Sequence, residues 1–556
     1  MKKISIFWNT IKYLKWVQIY SRIWLHVPRK VLVPKSSPRL RSRKKIWIDP
    51  VPKTASLTIP WRFTFLNKTD DCHFPEDWDS KKSKLWVYNL HYFDDLLATD
   101  AHARVRLHFE LIQKWIAENR PGYGSGWESF PISIRCVNWI KWSLNGSQLP
   151  AAALRSLVTQ IRLLHKRLEF HLLGNHLFKN AKALLFAGLY FQGSEAEGWL
   201  DKGLAILDHE LNEQVLADGG HFERSPMYHT MILEDCLDLL NLGLVYKNEK
   251  TFDLINKLKK TANSMAHFLV GMTHPDNKIA LLNDAALNVE PPPHQILAYY
   301  KRLTNQEIVL PKQSCWSFPE TGYFVMAPHK GNRMVVDCGP VGPDFQPGHS
   351  HCDTLSFELS LKNKRVIVDS GCFQYEDSPI RRYNRGNAGH NSVTVGGQNQ
   401  SEVWRAHRCA RRARPLYANL EVDSKNGLTF QGAHDGYCRL PGAPIHHRRI
   451  VWREHTYIIE DVVKGRGRHD IESRLHIHPA LSVKLEKNRV VLKSDQTPLA
   501  YVGTLGSGRL ETDVGYYCPE FGLKQRCMVL KVTIQDSLLP YRGGWLIHAT
   551  QKEQKS

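Results

Sequence analysis

No run of about 18 apolar residues occurs in the sequence, the length that a membrane-spanning helix needs, so no transmembrane segment is expected. No CxxC pair occurs among the 11 cysteines, which excludes a zinc knuckle or a thioredoxin-like motif. Scattered and odd in number, these cysteines are expected to act as small core hydrophobes, and they favour a reducing compartment. There is no short-period repeat and no extended low-complexity tract. The N-terminus opens like a signal peptide, but Lys12 and Lys15 interrupt its apolar stretch and no small-residue cleavage site follows. Acidic residues are in deficit, 54 against 75 Lys and Arg, which gives a net charge of +21.

What is present describes a folded, multidomain protein. At 42% hydrophobic and 23% charged residues, the 556-residue chain is not of disordered composition. At roughly 100–200 residues per domain, two to four domains are expected. The positive charge suits a polyanionic partner: nucleic acid, anionic lipid or an acidic polysaccharide. No nucleic-acid-binding module is recognisable. The basic, amphipathic N-terminal segment suits either a membrane surface or the protein's own core, and docking on the core is the expectation.

The texture changes near residue 310. Before it, apolar residues recur at helical spacing: Ile161, Leu164, Leu168 and Leu172 step by three and four. Further helices are expected over Ala101–Asn119, Glu195–Leu216 and Met231–Met272. Beyond it come short β-rich runs: Tyr323–Met326, Met334–Val336, Leu355–Leu361, Arg365–Val368, Ser392–Val395 and Tyr457–Val463. The expected architecture is an α-helical array over 76–310 followed by an antiparallel β-sandwich over 311–556. Residues 1–75 form an extension packed on the helices, and the Pro-rich stretch Glu290–His294 connects the halves.

Four groups of residues could carry chemistry. Asn175 and His176 follow Gly174, and both continue the stripe from Leu172. A hydrogen-bonded helix end explains them as well as a substrate site does. In the run Gly219–His229, Ser225 and Pro226 read as a helix N-cap followed by Pro at the first helical position. That puts Tyr228 in the electropositive first turn, which favours a tyrosinate or a bound carboxylate. His349 and His351 stand two apart and would share a face on a strand. With Asp369 and His390 at strand ends, they suggest either a zinc site or residues bonded to backbone. Finally, Arg381, Arg382 and Arg385 surround Tyr383, as in a carboxylate or sulfate clamp or a basic loop.

Taken in order, these stretches resemble the heparinase II/III family of polysaccharide lyases. The matching segments are Asn89–Asp94, Ser133–Arg135 with Asn138–Ile140, Asn175-His176, Gly220–His229, His349–Phe357, Val368–Gly371 and Tyr383–Asn391. The resemblance implies an (α/α) toroid followed by an antiparallel β-sandwich, with an acidic glycan bound between them. It implies that Asn175 neutralises a uronate carboxylate and that Tyr228 and His349 are the acid–base pair of a β-elimination. It places His176, Arg135, Asn138, Glu223, Arg224, Tyr383 and Arg385 at the substrate. One structural zinc would sit on His351, Asp369 and His390. Family members are often periplasmic, so that location is expected, with the cytoplasm as the alternative. Other readings are a glycoside hydrolase on the same toroid, with acids drawn from Asp218, Glu223 and Asp284, or a non-catalytic glycan-binding protein of a surface-polysaccharide pathway.

Overall fold

The computed structural model describes residues 2–25, 27, 31–36, 39–308, 314–423, 425, 427–486 and 489–550. The expected domain boundary at 310/311 lies outside the described residues. Two short helices, α1 (Lys2–Ile11) and α2 (Trp16–Leu25), lead into extended chain and a small three-stranded sheet over 57–71. Then come α3 (Lys84–Tyr92), α4 (Val105–Glu118), α5 (Ser129–Leu144), α6 (Ala151–Lys166), α7 (Gly174–Tyr190), α8 (Ser194–Gln214), α9 (Pro226–Tyr246), α10 (Phe252–Gly271) and α11 (Pro293–Thr304).

The helices form two layers. Successive odd helices pack on one another, α3 on α5, α5 on α7, α7 on α9 and α9 on α11, while α6, α8 and α10 back α5, α7 and α9. Sequence dictates the layering. Nearly every residue of α7 and α9 is buried, as befits helices apolar all round, whereas α4, α6 and α10 keep a polar outer face. The buried charges of α9 are paired: Asp238 with Lys141 (2.8 Å) and Lys182 (2.6 Å), Asp235 with Lys179 (2.8 Å), and Glu234 with Lys53 (2.8 Å). Buried ions persist only with such partners.

The β part holds three larger sheets, all antiparallel. A five-stranded sheet runs in chain order from Cys315–Phe318 to Lys364–Ile367. An eight-stranded sheet centres on Ile445–Arg453, Thr456–Lys464 and Tyr541–Ala549, and a four-stranded sheet contains Val393–Val395 and Arg468–His476. Thr456–Lys464 shows why they stack: Tyr457, Ile459, Asp461 and Val463 alternate inward. One core unites Phe324, Phe357, Ile459, Leu475 and Trp545 from the three sheets.

Several expected elements are placed differently. The stripe Ile161–Leu172 is not one helix, because α6 ends at Lys166 and α7 starts afresh at Gly174, with Leu168 and Leu172 in the link between them. The Met231–Met272 stretch is two helices, broken where Lys247 turns left-handed at φ +45°. The Glu290–His294 stretch leads into α11 instead of joining the halves. The N-terminal segment does dock on the protein, but with its polar face. Gln18 donates to Phe345 O (3.3 Å), Lys15 pairs with Glu213, and Trp404 Nε1 donates to Thr10 Oγ1 (3.1 Å). Residues 39–53 lie along the helices, and α1 and α2 reach across to the β part.

Candidate active site

A cleft of about 1140 Å³ runs between the helical and β parts. The N-terminal ends of α7 and α9 open onto it, so Asn175, His176 and Tyr228 line it from one side. His349, Tyr375 and His407 line it from the other.

Each side chain is held by identifiable partners. Gly174 starts α7 at φ +56°, and a Cβ there would lie 2.5 Å from Glu223 Oε1, so only glycine lets Glu223 reach the helix end. The Glu223 carboxylate accepts the Asn175 backbone N–H (3.0 Å) and fixes its amide, whose Nδ2 is 3.0 Å from both oxygens. His176 Nδ1 lies 3.1 Å from Glu169 Oε1. Burial works against charge on this imidazole, but the Glu169 carboxylate outweighs it and raises the pKa.

Tyr228 sits where the N-cap reading put it. Ser225 Oγ accepts its backbone N–H (3.4 Å), with Pro226 as the first helical residue. Ser225 Oγ also donates to Asp284 O (2.7 Å), which pins the end of α9. Of the two possibilities at this helix end, a tyrosinate or a bound carboxylate, burial works against the first. Burial pushes the phenol well above its ordinary range and dominates the helix dipole, so Tyr228 stays protonated at neutral pH. Its hydroxyl meets the Tyr375 hydroxyl at 2.9 Å, and its ring lies 4.0 Å from that of His349, centroid to centroid.

His349 and His351 do not lie on a strand; both belong to an irregular segment before Phe357–Leu361. They share a partner instead of a face. His349 Nδ1 is 3.1 Å from Asp284 Oδ2, and His351 Nε2 is 2.8 Å from Asp284 Oδ1. Burial alone would raise the Asp284 carboxyl, but the bidentate guanidinium of Arg381 holds it well below the usual carboxylate range. An ionised Asp284 makes both facing nitrogens N–H donors. His349 Nε2, 3.7 Å from Glu223 Oε2, is the nitrogen left to face the cleft, where the side chain keeps 13% exposure. His407 also brings a ring nitrogen to this group, so that it, His349 and Asp284 place ligand atoms within 4.8 Å of one another.

Behind His349, His351, Asp369 and His390 form a closed cluster, with ligand atoms again within 4.8 Å of one another and all three residues buried. His390 Nδ1 lies 2.7 Å from Asp369 Oδ2. His351 Nδ1 and His390 Nε2 are buried and lack any hydrogen-bond partner among the described residues. Burial lowers His351 to about 3, so the ring is neutral and Nδ1 offers a lone pair.

The other residues expected at the substrate divide. Asn138 lines the cleft, and its Nδ2 donates to Asp94 Oδ1 (2.7 Å). Arg135 does not: it is fully buried and donates to His91 O, Gly126 O and Gln160 Oε1. Glu223 stands behind Asn175. Arg224 donates to Thr321 O and Glu320 O, tying the loop before α9 to the β part. Tyr383 points to His476 Nε2 (3.0 Å) and away from the cleft. Arg385 splints two loops through Ser350 O, Arg405 O and Arg408 O. Arg135, Arg224, Tyr383 and Arg385 thus spend their hydrogen bonds on the protein itself, although Arg385 Nη2 is buried without a partner among the described residues.

Sequence reading missed Asp284 as a hub, Tyr375, and a rim of Arg22, Arg405 and Arg408. Those three arginines line the cleft, and among the described residues none of them makes an ion pair within 4.0 Å. The Arg-rich loop was legible as a carboxylate clamp, but the carboxylate that Arg381 grips is the protein's own Asp284. Nothing near Asn283-Asp284 or Tyr375 marks either in the sequence.

Residues 78–306 match the heparinase II/III N-terminus family, and residues 311–552 match the heparinase II/III-like C-terminal family. A heparin-sulfate lyase of Bacteroides stercoris is 29% identical over 255 residues, 41% of this chain. One of Pedobacter heparinus is 24% identical over 247 residues, again 41% of this chain. These matches span only 37% and 36% of the relatives' own lengths. The crystal structure of heparinase III shares the fold, with a TM-score of 0.66 at 17% identity over 87% of this chain and 80% of that one. With both family matches running in order along most of its length, on an (α/α) toroid followed by a β-sandwich, the chain belongs to the heparinase II/III family.

Proposed function

We propose that the cleft is the active site of a polysaccharide lyase that cleaves an acidic, uronate-containing glycan by β-elimination. The observation that carries this reading is the meeting of Tyr228, His349 and Asn175 in one cleft, with the Tyr228 and His349 rings 4.0 Å apart, centroid to centroid, and tilted at 35°. The names of the two curated relatives support the reaction class.

The reaction breaks the C5–H and C4–O bonds of the uronate and forms a C4=C5 double bond. His349 Nε2 takes the C5 proton, since Nδ1 is committed to Asp284. Tyr228, kept as a phenol by burial, gives its proton to the departing C4 oxygen. Asn175 and His176, whose imidazole Glu169 biases toward the charged form, draw charge from the carboxylate and stabilise the developing enolate. The arginine rim meets neighbouring anionic groups, and the net charge of +21 speeds the encounter at low salt. A hydrolase would need two carboxylates flanking the bond. The three acids named for that role are committed: Glu223 to Asn175, Asp284 to Arg381, and Asp218 to Thr321.

The donor set of His351, Asp369 and His390 fits one zinc ion, because two buried imidazole nitrogens there have no other partner among the described residues. Its role would be structural: it would tie the His351 segment to the neighbouring strand ends. The reading is tested by incubating the protein with a panel of acidic polysaccharides and following ultraviolet absorbance of the unsaturated product. Absorbance rising with at least one glycan is expected; reducing ends without absorbance, or no product at all, would overturn the proposal.

A further inference from the structure

The N-terminal helices are amphipathic the wrong way round for a protein surface. On α2, Trp16, Ile19, Tyr20 and Ile23 step by three and four along one stripe, and all are exposed, Trp16 by 82% and Ile23 by 70%. On α1, Ile4 (74% exposed), Phe7 and Trp8 form a second exposed stripe. The buried residues of α2 are Gln18 and Ser21, and its inward side supplies Gln18 and Arg22 to the cleft. Soluble proteins rarely present such apolar stripes unless something covers them.

We propose that α1 and α2 form a membrane-surface anchor, which seats the protein on a bilayer containing anionic lipid. Charge identifies the occupant. The first 48 residues hold 13 Lys and Arg and no Asp or Glu, which complements anionic headgroups and would repel a second copy of the same face. The aromatic content points the same way, since Trp and Tyr favour the headgroup level of a bilayer. The helices lie on the membrane and do not cross it. Each has 10 residues, about 15 Å of helix against a hydrocarbon core of about 30 Å. No helix among the described residues is long and apolar enough to span. Because the inward side of α2 borders the cleft, a docked protein holds its cleft at the membrane surface. The inference is independent of the lyase reading.

The test is flotation of the purified full chain with vesicles of phosphatidylcholine alone or with phosphatidylglycerol added. The chain should float with the anionic vesicles and remain behind with the neutral ones. The triple variant Trp16→Ser, Ile19→Ser, Ile23→Ser should lose about tenfold or more of that binding, because apolar burial scales with the area removed from water. Its circular dichroism should match the parent, since all three side chains are exposed. The proposal is overturned if the parent ignores both vesicle types or if the variant floats as well as the parent. It is equally overturned if light scattering reveals a dimer that the triple variant dissolves while vesicles are ignored, which would make the face a self-interface.

Discussion

Asp284 offers one oxygen to each of two histidines, and the two end in different surroundings. His349 keeps an edge in a large cleft beside Tyr228, while His351 is sealed behind it with Asp369 and His390. A third Asp–His–Arg set lies in the helical part, away from the cleft, where Asp95 binds His108 Nε2 (2.8 Å) and Arg104 Nε (2.8 Å); His108 Nδ1 is buried and unpartnered too, but among the described residues no second and third ligand group gathers beside it. The residue types are the same in all three. Access and the groups that surround the second imidazole nitrogen decide whether the set can do acid–base work, hold a metal, or only stabilise the fold.

The comparison breaks most severely at its shared member. Asp284→Asn removes the partner of the buried Arg381 and should cost about 3–5 kcal/mol, the usual penalty for a buried charge left unpaired. Thermal unfolding should show a large drop, with turnover and metal content lost together; loss of only one of them would show that the two histidines are not coupled through this carboxylate. His349→Ala separates the sites. Turnover should fall about 10²–10⁴-fold, the usual contribution of a positioned base, while melting temperature and metal content stay near the parent values. His351→Ala should do the opposite first: metal analysis should drop from about one equivalent to none, with a lower melting temperature.

Smaller effects sharpen the picture. Tyr375→Phe deletes one hydrogen bond to Tyr228, about 0.5–1.5 kcal/mol, so steady-state rates should fall about two- to tenfold. Asp95→Asn should leave turnover unchanged but lower stability at neutral pH and change how stability responds to acid. Burial would raise the Asp95 carboxyl, but His108 and Arg104 lower it to about 2. Its unfolded value is about 3.9, so its stabilisation is full above that pH and is lost as pH falls through 2. Acid titration of the variant should therefore lack the parent's steepening between about pH 4 and pH 2.

Much of this was legible in the sequence, and the gaps have physical reasons. The Ser225-Pro226 cap was readable because capping depends on adjacent residues, and it placed Tyr228 correctly. The strands Tyr323–Met326 and Thr456–Lys464 announced themselves by apolar runs. Arg135 and Arg385 could not be placed, because a guanidinium satisfied by backbone carbonyls looks the same in sequence as one aimed at a sulfate. Asp284, 65 residues from His349 and 97 from Arg381, is joined to them only by the tertiary fold. The protonation state of Tyr228 likewise depends on burial, which local sequence does not record.

The central claim is elimination rather than hydrolysis, and the most direct measurement is mass analysis of the product formed in ¹⁸O-labelled water. Elimination breaks the bond without adding water. The account therefore predicts an unsaturated uronate at the new non-reducing end, no ¹⁸O in either fragment beyond slow exchange at reducing ends, and near-complete loss of that product in Tyr228→Phe. A saturated product carrying one ¹⁸O per cleavage, or full activity in the Tyr228→Phe variant, would contradict it.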